Sequence, residues 1–138
     1  MNTTKLFFVV FSFLFLVSCD NKIEKEIEEL NTILMIGHDE VMPKSMNISI
    51  VKKELLASVE NAPDSLKNAA LVLSAQLQKA EDDMYRWMDN YGKAMNDVKD
   101  KNEKLELYTG LQSEIEKIKT LTDESLANAK TFLGSQKK

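Results

Sequence analysis

Apolar residues recur along residues 63–99 by alternating fours and threes. Leu66, Ala70, Leu73, Leu77, Ala80, Met84, Trp87, Tyr91, Ala94 and Val98 keep this rhythm for nearly five heptads. Such spacing holds one stripe on one helix face and reads as a coiled-coil-like seam. Val72, Met88 and Met95 widen it into a face for two neighbours. A second stripe comes earlier: Ile23, Ile27, Leu30, Leu34 and Val41, then Val51, Leu55 and Val59. A third follows in Leu105, Tyr108, Leu111, Ile115, Ile118, Thr122, Ser125 or Leu126, Ala129 and Phe132. No run alternates with the strand period of two, so the chain reads as all-α.

Breakers divide the pattern. Pro43 removes one helical hydrogen bond and collides with the carbonyl of Asp39, and Met42 before it is pushed out of the α region. A kink or break is expected within 42–49. Asn61-Ala62-Pro63-Asp64-Ser65 carries helix-start chemistry, with Pro suited to a first turn and Asp or Ser able to cap. The polar run Lys99 to Glu103 is the second turn, and Gly134 is expected to end the last helix before a polar tail. Three helices result, about 22–60, 63–99 and 103–133, packed over 23–133. Short connections make neighbours antiparallel, which predicts an up-down-up three-helix bundle with a bent first helix. A homo-oligomeric coiled coil is the alternative. Gly37 is either a tolerated weak point or a place of close approach to a backbone or ligand.

Residues 1–18 do not fit the bundle pattern. Lys5 precedes an apolar run, Leu6 to Val17, too short to span a bilayer comfortably, which favours a cleaved leader over a permanent span. The run closes on Leu16-Val17-Ser18-Cys19, which resembles the lipobox of bacterial lipoproteins. The resemblance implies that Cys19 becomes an acylated N-terminus, with residues 19–22 as a tether to the lipid bilayer. Several acyl chains anchor firmly where one would be marginal. A chance Cys at the end of an ordinary leader is the plain alternative. Cys19 is the only cysteine of the chain, so no intrachain disulfide can form.

Composition changes at Cys19. Five of the six phenylalanines precede it, leaving Phe132 alone. Loss of the leader would leave about 120 residues, enough for one domain with a modest core. The whole chain has a formal charge of −4, and removing Lys5 makes the balance more acidic still. Charges are interleaved with no basic stripe, which speaks against nucleic acid as a partner.

The candidate chemistry lies where the first two helices meet. A turn near Ala62 brings residues of equal height together, since both helices rise equally per residue. Met35, His38 and Met42 then face Met84, Trp87 and Met88. Spacings of three and four place Met35 with His38, His38 with Met42, and Met84 with Met88 on shared faces. Thioethers favour Cu(I) and imidazole suits several transition metals, so these residues could form a soft-metal site beside the indole. A His/Met pair for haem is conceivable, but the chain has no Cys-x-x-Cys-His. The bland reading is core, because methionine fills irregular gaps and a buried His finds a nearby acid such as Asp39 or Glu40.

The lipobox, the heptapeptide His38-Asp39-Glu40-Val41-Met42-Pro43-Lys44 and the later Met84-Tyr85-Arg86-Trp87-Met88 resemble small lipoproteins of Bacteroidota, some called "viral A-type inclusion protein". The resemblance implies a helical lipoprotein of uncharacterised role and transfers no catalytic residue. Ser45 and Asp89 depart from that pattern, which more often has Met after the Lys and His after Trp-Met.

Enzymatic chemistry finds no constellation here. The lone His has no thiol partner, no His-Glu-x-x-His motif is present, and there is no Gly-rich phosphate loop. Asp82-Asp83 and Asp39-Glu40 are adjacent on helices, about 100° apart, and read as solvated acids. The expectation is a non-enzymatic, lipid-anchored envelope module that contacts a protein partner. A Cu(I)-binding role through the His38 centre is the alternative.

Overall fold

The computed structural model describes the backbone of residues 3–136 and the side chains of residues 21–136. The leader expected over 1–18 and its acylation site Cys19 lie outside the residues whose side chains are described. Four helical segments follow one another: α1 (Thr3–Met46), α2 (Ile48–Ser58), α3 (Asp64–Asn96) and α4 (Lys101–Gln136). Among the described residues there is no strand. α1 and α2 are two limbs of one bent helix, so the chain makes three helical arms.

The bend follows from Pro43, which lies inside α1 one turn before the break. Proline has no N–H to give the carbonyl four residues back. The ladder recovers unevenly: the Asn47 N–H donates to Lys44 at 3.1 Å, a step of three, and the Val51 N–H then takes the Asn47 carbonyl at 3.2 Å. At the next turn Pro63 is the residue before α3, extended at ψ 154°, and no side chain caps that end. Asp64, expected as a cap, is instead the first helical residue, where its charge meets the positive end of the helix dipole. The second turn does hold a cap. Asp100 Oδ1 accepts from the Glu103 N–H at 2.9 Å, satisfying one of the orphan donors of α4. Gly134 does not stop α4, which runs on to Gln136.

Two apolar clusters form the interior. The upper one joins Leu34 and Val41 of α1, Met84, Trp87 and Ala94 of α3, and Tyr108, Leu111, Ile115 and Ile118 of α4. The lower one joins Ile48, Val51 and Leu55 of α2, Leu77 and Ala80 of α3, and Leu126 and Ala129 of α4. Every position of the expected α3 seam is buried or half-buried, whereas Val72 and Met95, expected to widen it, are exposed. At one to two residues off the seam they point past both neighbours.

The buried polar residues near the bend are small: Ser45, Thr122 and Ser125. Thr122 is fully buried, and its Oγ1 is the one buried side-chain polar atom without a partner among the described residues. An unsatisfied buried hydroxyl costs about 1–3 kcal/mol. Thr122→Val, which keeps the branched shape, is therefore expected to stabilise the protein by about 1 kcal/mol and raise Tm by a few degrees. A thermal melt of the variant that falls below wild type would show that the hydroxyl is satisfied in solution.

Ion pairs tie α1 to α4. Glu40 meets Lys119 at 2.7 Å, and Lys44 meets Asp123 at 2.7 Å and Glu40 at 3.8 Å. Further up, Lys101 meets Glu24 at 2.7 Å. The hydrogen bond from Lys119 holds the Glu40 carboxyl below its ordinary value of 4.5, and the same bond raises the Lys119 ammonium. A lowered carboxyl stabilises the fold above its ordinary value and loses that contribution as pH falls through the lowered one. The raised ammonium loses its share only as pH climbs past 10.5. Glu40→Gln should thus melt below wild type at pH 7, with the gap closing towards pH 3. A gap that persists in acid would assign the effect to packing.

Candidate functional site

α1 and α3 meet through polar and aromatic side chains. The Tyr91 hydroxyl donates to Asn31 Oδ1 at 2.7 Å, and the His38 ring lies over Trp87 with centroids 6.3 Å apart at 27°. The stack continues from Trp87 to Tyr91 at 5.4 Å and 2°, then to Tyr108 of α4 at 5.9 Å. Spacing of four places Trp87 and Tyr91 one above the other on α3. Burial raises the phenol of Tyr91, and burial followed by the nearby Tyr91 raises that of Tyr108. Both phenols stay neutral hydrogen-bonding groups at any ordinary pH.

Of the expected centre, the structure brings most members to one place. Met84 and Trp87 are buried in the upper cluster, Met42 and Met88 pack against it half-buried, and His38 covers the indole. Met35 is different. It is 37 % exposed and belongs to neither cluster. A spacing of three from His38 sets the two on neighbouring rows, but Met35 falls on the outer side of its row. Met46, one turn past Met42, is also exposed.

The polar atoms of the centre are mostly engaged. The Trp87 Nε1–H donates to the Leu111 carbonyl at 2.8 Å. His38 Nδ1 lies 2.9 Å from Asp39 Oδ1. A carboxylate only accepts, so in this contact the Nδ1–H donates. No three His, Cys, Asp or Glu side chains among the described residues are placed to share a metal ion. A metal here would rest on thioethers and one imidazole.

Of the acidic pairs, Asp39, Glu40 and Asp82 are exposed as expected, and Asp83 is the exception. Asp83 is nearly buried and receives both Lys79 at 2.6 Å and Arg86 at 2.7 Å. Asp39 takes His38, and Glu40 takes Lys119. Helical neighbours three and four apart, which the adjacent-pair view ignored, supply the partners of Asp83.

Sequence reasoning passed over an opening on the surface. A groove of about 750 Å³ runs between α3 and α4 on the upper half of the molecule. Ala94, Val98, Leu107, Gly110 and Leu111 form its floor, and carboxylates stand along its edges. The pattern Glu103, Leu107, Gly110, Glu114, at steps of four, three and four, was the available signal. No helix among the described residues is long and apolar enough to cross a membrane. In comparison with known proteins, no family model, curated protein or solved structure matches the chain.

Proposed function

We propose that this chain is a non-enzymatic interaction module of the bacterial cell envelope, an antiparallel up-down-up three-helix bundle tethered to a lipid bilayer through acylated Cys19. The sense of the contacts supports the bundle. Asn31 with Tyr91 and His38 with Trp87 run in opposite order, as do Trp87 with Leu111 and Tyr91 with Tyr108. Glu40 with Lys119 and Lys44 with Asp123 run in the same order. The observation that carries the module reading is the filled centre: Trp87 is 1 % exposed, Met84 is fully buried, and the indole N–H is already bonded. A centre packed this tightly works as core, which leaves the outer surface to carry function.

The tether is tested by detergent partitioning. The mature protein is expected in the detergent-rich phase of Triton X-114, labelled by a fatty-acid analogue, and Cys19→Ala in the aqueous phase without label. Equal partitioning of both would remove the lipid anchor from the proposal.

One observation favours a second reading, a Cu(I)-binding role. Met84 lies in the upper cluster, Met42 and Met88 pack against it, and the His38 ring lies over its indole. Soft thioethers and an imidazole suit that ion. Anaerobic Cu(I) titration against a chelator, followed by Trp87 emission, decides it. Saturable quenching at one equivalent, lost in His38→Ala, supports copper; a flat titration of a folded sample leaves the module alone.

A further inference from the structure

We infer that the groove between α3 and α4 is a docking site for a basic amphipathic helix of a partner protein. The inference rests on the interaction-module reading and goes beyond it by naming the surface and the chemistry it accepts. The floor is apolar and uneven in height: Leu107 is 41 % exposed, while Ala94 and Leu111 are buried beside it. Gly110 sits between them, and a Cβ built there meets nothing within 4 Å. Small residues at such a point let a second backbone come close.

A helix fits this shape better than a strand or a small molecule. No described residue of α1 or α2 lines the groove, which leaves it open to a further helix. Helices pack in the furrow between two others at interaxial distances near 8–10 Å. From Glu103 to Glu114, α4 rises about 16 Å, or three turns, which sets the length a partner helix must offer.

The edges select the charge of the occupant. Asp97 stands on the α3 side, and Glu103, Glu106 and Glu114 stand on the α4 side. Against these four carboxylates the groove holds one ammonium, Lys93, and Asp89 already takes it at 2.5 Å. A helix with lysine or arginine flanking an apolar stripe meets this arrangement, because complementary rims steer association and set orientation. A second copy of this chain is disfavoured: its outward charged residues near the start of the bundle are Lys22, Glu24, Lys25, Glu26, Glu28 and Glu29, an acidic balance that sets like charge against like.

The test uses the full mature chain in phosphatidylcholine nanodiscs, with empty discs as the blank. The probe is a fluorescent alanine–lysine helix of about 18 residues with one leucine stripe, long enough for the three turns. Anisotropy should show saturable binding that weakens as salt rises. Gly110→Leu, whose Cβ meets nothing within 4 Å and whose side chain occupies the floor, is expected to weaken binding by about tenfold or more, and so is Glu106→Lys with Glu114→Lys. A matched peptide with glutamate for lysine should not bind. Circular dichroism of each variant shows that the fold persists. Absence of binding, or equal affinity of wild type and Gly110→Leu, would overturn the groove as the site. Detergent partitioning of the same preparation reports the tether separately, so loss of one proposal is not mistaken for loss of the other.

Discussion

Trp87→Ala is expected to cost the fold about 3–5 kcal/mol, a large share of the roughly 5–15 kcal/mol that holds a domain together. The ring is buried at the centre of the upper cluster, between His38 of α1 and Tyr91 on its own helix. Its Nε1–H reaches the Leu111 carbonyl, so one side chain joins all three arms at one height. Alanine removes the ring contacts and the hydrogen bond together. Trp87→Phe separates them, keeping most of the apolar area and losing the donor, for about 1–2 kcal/mol. Both variants lack the only tryptophan, so urea unfolding is followed by far-UV circular dichroism. A loss below about 1 kcal/mol in Trp87→Ala would mean that the arms hold without this ring.

The importance of position 87 was legible in the sequence because the seam on α3 is long and its period unbroken. The all-helical class and the bend near Pro43 were legible for the same kind of reason, since each follows from a local rule. Side chains at the margin of a face were not. Met35 and Met95 are apolar at helical spacing yet exposed, because a stripe read by threes and fours fixes a direction only to within one row. Contacts between helices were also hidden. The stripe on α4 set Thr122 inward, but nothing in a one-dimensional pattern says that its hydroxyl lacks a partner or that Asp100 caps α4. The groove was hidden for a further reason: its residues are inconspicuous singly, and only the pairing of α3 with α4 brings Asp97 and Glu106 to one opening. The candidate centre falls between these cases. Composition drew attention to His38 and the methionines, and the structure gathers four of them with Trp87 while giving the indole a structural bond.

Gly37→Val is expected to destabilise the protein by about 2–3 kcal/mol, although glycine is itself a poor helix former. The two effects oppose each other, and magnitudes decide between them. Replacing glycine by alanine inside a helix gains about 1 kcal/mol. A Cβ at position 37, however, would stand 3.0 Å from Ile115 Cγ1 and 3.1 Å from Cγ2. Ile115 is buried in the upper cluster and has little room to yield. For alanine the gain and the squeeze roughly cancel. Valine adds two methyl groups to the same contact and loses most of the helical gain through its stiff χ1. The cause is tested by a double-mutant cycle. Ile115→Ala alone costs about 2–5 kcal/mol by opening a cavity, but in that background the valine methyls enter the vacated space. Gly37→Val should then be neutral or stabilising, with a coupling of about 2 kcal/mol between the sites. Four denaturant curves measure it. If valine costs the same in both backgrounds, α1 and α4 do not meet through this glycine, and its place in the helix is only a weak point. If the coupling is found, Gly37 sets the distance between the two arms, and with it the height at which His38 lies over Trp87.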